Sequence, residues 1–71
     1  MPFRHAYIWV HTAGAWRKGH VLHWMHLRDG RWVLFAAFRH PERWGYPAYE
    51  HFVYDPDAVR PRYDDDKPPT D

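Results

Sequence analysis

Apolar and polar residues alternate with a period of two along most of the chain, which is the signature of strands rather than helices. From Arg4 to His11, Ala6, Ile8 and Val10 fall on one face and Tyr7, Trp9 and His11 on the other. Thr12-Ala13-Gly14-Ala15 is small and reads as a flexible loop. A second strand is expected from Trp16 to Arg28, with Val21, His23, Met25 and Leu27 facing one way and His20, Leu22, Trp24 and His26 the other. Gly19 near its start predicts a bulge or bend.

Asp29-Gly30 between two alternating runs predicts a hairpin with a type I′ turn, whose two central residues both need positive φ. Its partner strand is Arg31 to Arg39, which is apolar on both faces and therefore expected at the centre of the sheet. Two prolines and a glycine in residues 40–47 predict a longer loop. A fourth strand follows from Tyr49 to Tyr54, Asp55-Pro56-Asp57 breaks it with a short turn, and Val59 opens a brief fifth strand that Pro61 closes.

With 71 residues there is room for one domain and a small core. There is no cysteine, so neither disulfides nor thiolate-bound zinc can staple it, and aromatic residues at 20% are the remaining source of buried area. The expected division is a barrel over residues 1–62 and a disordered acidic, proline-containing tail over residues 63–71. Charge divides the same way. Residues 1–54 carry seven Arg and Lys against three Asp and Glu, whereas residues 55–71 carry three against six. The start Met1-Pro2-Phe3-Arg4-His5 has no apolar core or cleavage site, and no apolar run approaches the roughly 20 residues of a membrane helix. The expected location is the cytoplasm, with no membrane partner.

Three stretches carry a resemblance: Trp16-Arg17-Lys18-Gly19-His20-Val21, the hairpin into Trp32-Val33-Leu34-Phe35, and the ending Val53-Tyr54-Asp55-Pro56-Asp57-Ala58-Val59-Arg60-Pro61. Together they resemble the Tudor and KOW-like branch of SH3-like barrels, and are similar to small proteins of GC-rich actinobacteria. The resemblance spans residues 4–62 and implies an all-β fold, a small five-stranded SH3-like barrel. A Tudor likeness would imply an aromatic cage for a methylated cation, with Trp16, Phe38, Trp44 and Tyr46 at the corresponding positions. The sequence departs from that pattern at Phe38-Arg39-His40-Pro41, which puts positive charge where a cationic ligand would arrive.

Seven histidines raise the question of a metal. In the densest group, His20, His23 and His26, strand alternation sends His23 away from the other two, and those two stand six residues apart, about 20 Å at roughly 3.3 Å per residue. His5 and His51 form the remaining candidate pair, and no metal site or cofactor is expected. Nor is catalysis: there is no Ser or Cys, and Thr12, Thr70, Lys18 and Lys67 fall in expected loops or the tail.

What remains is binding. The first expectation is a non-catalytic interaction module that takes a protein or peptide partner in an exposed aromatic groove of Tyr7, Trp9, Trp16, Trp44 and Tyr46. The second is a nucleic-acid-binding domain, DNA or RNA, using Arg17, Lys18, Arg28, Arg31, Arg39 and Arg43 interleaved with tryptophans. Association into a homodimer is a further expectation.

Overall fold

A computed structural model describes residues 1–63 and 67–69. Five strands are present: β1 (Tyr7–Thr12), β2 (Ala15–His26), β3 (Trp32–Arg39), β4 (Pro47–Val53) and β5 (Val59–Pro61). They form one antiparallel sheet in the order β4-β3-β2-β1-β5. The chain is all-β, and the described residues contain no helix long and apolar enough to cross a membrane. Strand β3 is interior, between β4 and β2, while the middle place expected for it from its two apolar faces belongs to β2. Of the expected tail, residues 64–66, 70 and 71 lie outside the described residues, and Tyr63 sets its ring 4.7 Å from that of His5.

The long β2 has two partners. Its first half, Ala15 to His20, pairs with β1, and its second half, from Gly19 onward, pairs with β3. Where the two ladders overlap, Gly19 passes so close to its neighbours that a Cβ there would stand 3.0 Å from the Ala37 carbonyl oxygen and 3.3 Å from both Ile8 Cγ1 and Phe38 Cβ. Gly19 therefore marks a close crossing, and the bulge falls later, between Val21 and His23.

That bulge corrects the expected facing of β2. Leu22 is the extra residue, so the alternation changes phase there. His20 and His23 end on one face, paired with Ala37 and Phe35, while Val21, Trp24 and His26 end on the other, paired with Ala36, Leu34 and Trp32. The separation of His23 from His20 expected from unbroken alternation does not hold.

The inner face carries the core: Ile8, Val10, Leu34, Ala36, Phe38, Ala48 and Val59, with Phe3, Val21, Trp24, Phe52 and Tyr54 packed around it. No helix or second sheet covers this face among the described residues, yet Ile8 and Leu34 are fully buried. The sheet must therefore curl over its own inner surface. Phe3, Trp24 and Tyr54 close one end through edge-to-face contacts of 5.3–6.1 Å between centroids. On edge strand β4, Glu50 pairs with Ala36 on this same inner face and stays exposed, a charge that discourages a second strand from extending the edge.

The turns differ from expectation in an informative way. The type I′ turn lies at Ala13-Gly14, a two-residue connection between Thr12 and Ala15 with φ of 51° and 80°. At the other hairpin only Gly30 has positive φ; the Gly30 N–H donates to the Leu27 carbonyl at 3.0 Å, making a four-residue turn through Arg28 and Asp29. After β4, the Ala58 and Val59 N–H groups both donate to the Asp55 carbonyl at 2.9 Å, which delivers the chain into β5.

Candidate basic and aromatic face

The outer face of the sheet is where the candidate residues gather. Register places Tyr7, His20, Ala37 and Tyr49 in one row across four strands, and Arg60, Trp9 and Lys18 in the next. The Tyr7 and His20 rings stack 5.4 Å apart at 24°. Arg62, just past β5, lays its guanidinium 5.4 Å from the Tyr7 ring centre and 5.9 Å from that of Trp9. Its Nε also donates to the Ile8 carbonyl at 3.3 Å, which fixes the side chain across β1.

Trp9 shows why this face is unusual. By alternation it points outward, yet it is only 5% exposed, because Arg60, Lys18 and Arg62 surround it. Its indole Nε1 has no hydrogen-bond partner among the described residues. Trp9 therefore acts as a floor, and the expectation of an exposed ring there is corrected by the stems that cover it. Trp16 is half-buried, with the Arg60 guanidinium 5.4 Å from its ring centre and His11 against its edge.

Between these residues lies an open cleft of about 200 Å³ lined by Tyr7, Lys18, His20, Ala37, Arg39 and Arg62, with Pro47 at its far end. It is concave because Ala37 follows His20 in its row and leaves a gap where a larger side chain would stand. Among the described residues no carboxylate lines it, and the one ion pair they form with each other is elsewhere, joining Arg31 to Asp29 at 2.7 Å. Arg39 and Pro47 also line a second, larger depression formed by the β3–β4 loop with Arg43, Trp44 and Tyr46. Trp44 is 93% exposed and Tyr46 75%.

The two candidate sets thus merge in part. Lys18, Arg39 and Arg43 adjoin Tyr7, Trp44 and Tyr46 through the two depressions. Arg17 does not join them: it pairs with Val10 on the inner-face register and donates to the Thr12 and Ala13 carbonyls, bracing the first hairpin. Arg28 and Arg31 sit at the β2–β3 turn, past the end of β2 at His26, which is itself eight residues and about 26 Å of strand from Lys18. Arg31 is held there by Asp29, whose carboxylate accepts its backbone N–H and its Nε. Those bonds, the backbone one foremost, pull the Asp29 carboxyl below its ordinary value.

Sequence reasoning missed Arg62 and His20 as members of the face. Arg60 and Arg62 alternate on the strand that pairs with Trp9, and that spacing was the available signal.

The expected cage positions are not brought together, since Phe38 is in the core and Trp16 lies against Arg60. His23 and His51 flank Phe35 with centroids 6.4 Å apart, and His5 donates to the Arg62 carbonyl beside β5, at the opposite side of the sheet from His51. No group of three or more His, Asp or Glu residues is placed to hold a metal among the described residues.

No family model, curated protein or solved structure matches this chain.

Proposed function

We propose that this protein is a non-catalytic binding module for nucleic acid, and that the ligand lies across the outer face of the sheet. The observation that carries the reading is the composition of the cleft: Lys18, Arg39 and Arg62 converge on one depression walled by the Tyr7 and His20 rings, with no carboxylate among its lining residues. Cations in a depression that no described carboxylate lines suit a polyanion, and rings beside them suit bases, which stack on aromatic side chains whatever their identity. The order β4-β3-β2-β1-β5 and a long β2 shared by two ladders support an SH3-like barrel as the scaffold.

A protein or peptide partner is the second reading, supported by the exposure of Trp44 and Tyr46 on a loop bounded by Pro41 and Pro47. The methyl-reader alternative is weaker, because Arg39 and Arg43 line the same depression as those rings and repel a cation.

Fluorescence anisotropy of labelled DNA and RNA, titrated at several salt concentrations, tests the proposal. Three phosphate contacts predict that log K falls against log salt with a slope of about −2 to −3, and Lys18→Ala, Arg39→Ala or Arg62→Ala each flattens it by just under 1. Absence of binding at low salt overturns the proposal and leaves the aromatic loop and a protein partner.

A further inference from the structure

The nucleic acid that fits this face is single-stranded, we infer; the inference rests on the nucleic-acid reading above and narrows it. A duplex is read by an element that projects into a groove, an α-helix or a two-stranded ribbon in a major groove about 12 Å wide. Here the cations and rings line a depression in a sheet, floored by Ala37. The β2–β3 turn carries Arg28 and Arg31, and Arg31 is already tied to Asp29. A duplex resting on the sheet would touch the cations with its phosphates and leave the rings unused, because its bases are stacked on one another.

The order of groups along the surface points the same way. Crossing from β5 to the β3–β4 loop, a ligand meets Arg62, then Tyr7, then His20 and Lys18 side by side on β2, then Arg39, then Trp44. Cations and rings are interspersed, as phosphates and bases are along one strand. Arg39 and Pro47 belong to both depressions, so the path between them is continuous. From β1 to β4 it covers about 14 Å, three strand spacings of 4.7–4.9 Å each. Trp44 is 93% exposed and can receive an unstacked base as it stands, while Tyr7, 53% exposed, receives one when the Arg62 guanidinium over its ring gives way, with no rearrangement of the core.

Anisotropy titrations of labelled oligo(dT), oligo(rU) and a blunt mixed-sequence duplex, at low salt, read this directly on the full chain. The expected result is that one or both single strands bind about tenfold tighter than the duplex, and that Tyr7→Ala and Trp44→Ala each weaken single-strand binding about tenfold, with Trp44→Phe largely restoring it. Circular dichroism of each variant certifies the fold, and both side chains are exposed enough that truncation leaves it intact. Equal or tighter duplex binding, or single-strand binding indifferent to both truncations while Lys18→Ala still weakens it, overturns the inference and leaves the wider nucleic-acid reading in place. Failure of all three probes to bind overturns both.

Discussion

Tyr7 and His20 stand opposite each other in the β1–β2 ladder with their rings nearly parallel, 24° apart in orientation and 5.4 Å between centres. Because the pair is cross-strand and partly exposed, its contribution to the fold separates from its contribution to binding. A double-mutant cycle with Tyr7→Ala and His20→Ala, followed by urea denaturation, is expected to give a coupling of about 0.5–1 kcal/mol. A coupling indistinguishable from zero means that the rings do not meet in solution.

Gly19 predicts a steric effect with no backbone-strain component, since its φ is not positive. Gly19→Ala forces a methyl against the Ala37 carbonyl, Ile8 and Phe38, and neither the carbonyl nor the core can retreat freely. The expected loss is about 1–3 kcal/mol. An unchanged urea midpoint would show that the crossing of the two ladders is looser than described.

Ala13 predicts the opposite sign. It holds φ of 51° at the first central position of the type I′ turn, a conformation that opposes a Cβ. Ala13→Asn or Ala13→Gly is expected to raise stability by about 0.5–1 kcal/mol, read as a higher urea midpoint at unchanged m-value. A lower midpoint for both variants counts against the turn assignment.

Trp9 and Trp44 predict a contrast within one residue type. Trp9→Ala is expected to cost about 3–5 kcal/mol, enough to unfold a domain this small, whereas Trp44→Ala stays within about 0.5 kcal/mol. If thermal melts rank the two the other way, the floor of the face has been misassigned.

The pH dependence of the β2–β3 turn follows from Asp29. Its carboxyl is lowered in the folded state, so the bonds to Arg31 are fully present above the ordinary value of about 4 and are lost as pH falls through the lowered folded value. The Arg31 amide resonance followed by NMR should titrate with a midpoint below that ordinary value. A midpoint at or above it would sink the assignment.

Much of this architecture was legible in the residues. Period-two alternation located all five strands to within a few residues, and the doubly apolar run from Trp32 to Phe38 marked an interior strand, although β2 takes the middle place. The phase of β2 was not legible, because a bulge at Leu22 is a property of pairing between strands and leaves no mark on one strand alone. Turn chemistry misled for a related reason. Asp29-Gly30 reads as the better type I′ pair, yet the two-residue connection formed at Ala13-Gly14, where register between β1 and β2 demanded it. Trp9 was legible as outward-facing and not as buried, since its cover comes from Arg60 and Arg62, fifty residues away along the chain.

The double partnership of β2 has a consequence for how the molecule comes apart. Releasing β1 and β5 would strip Ala15 to His20, and releasing β3 and β4 would strip the remainder, so either event uncovers Ile8, Phe38 and the residues between them. Neither wing has a core of its own to fall back on. Loss of structure in this chain should therefore be all-or-none, with amides on both sides of Gly19 exchanging at one common rate set by global opening.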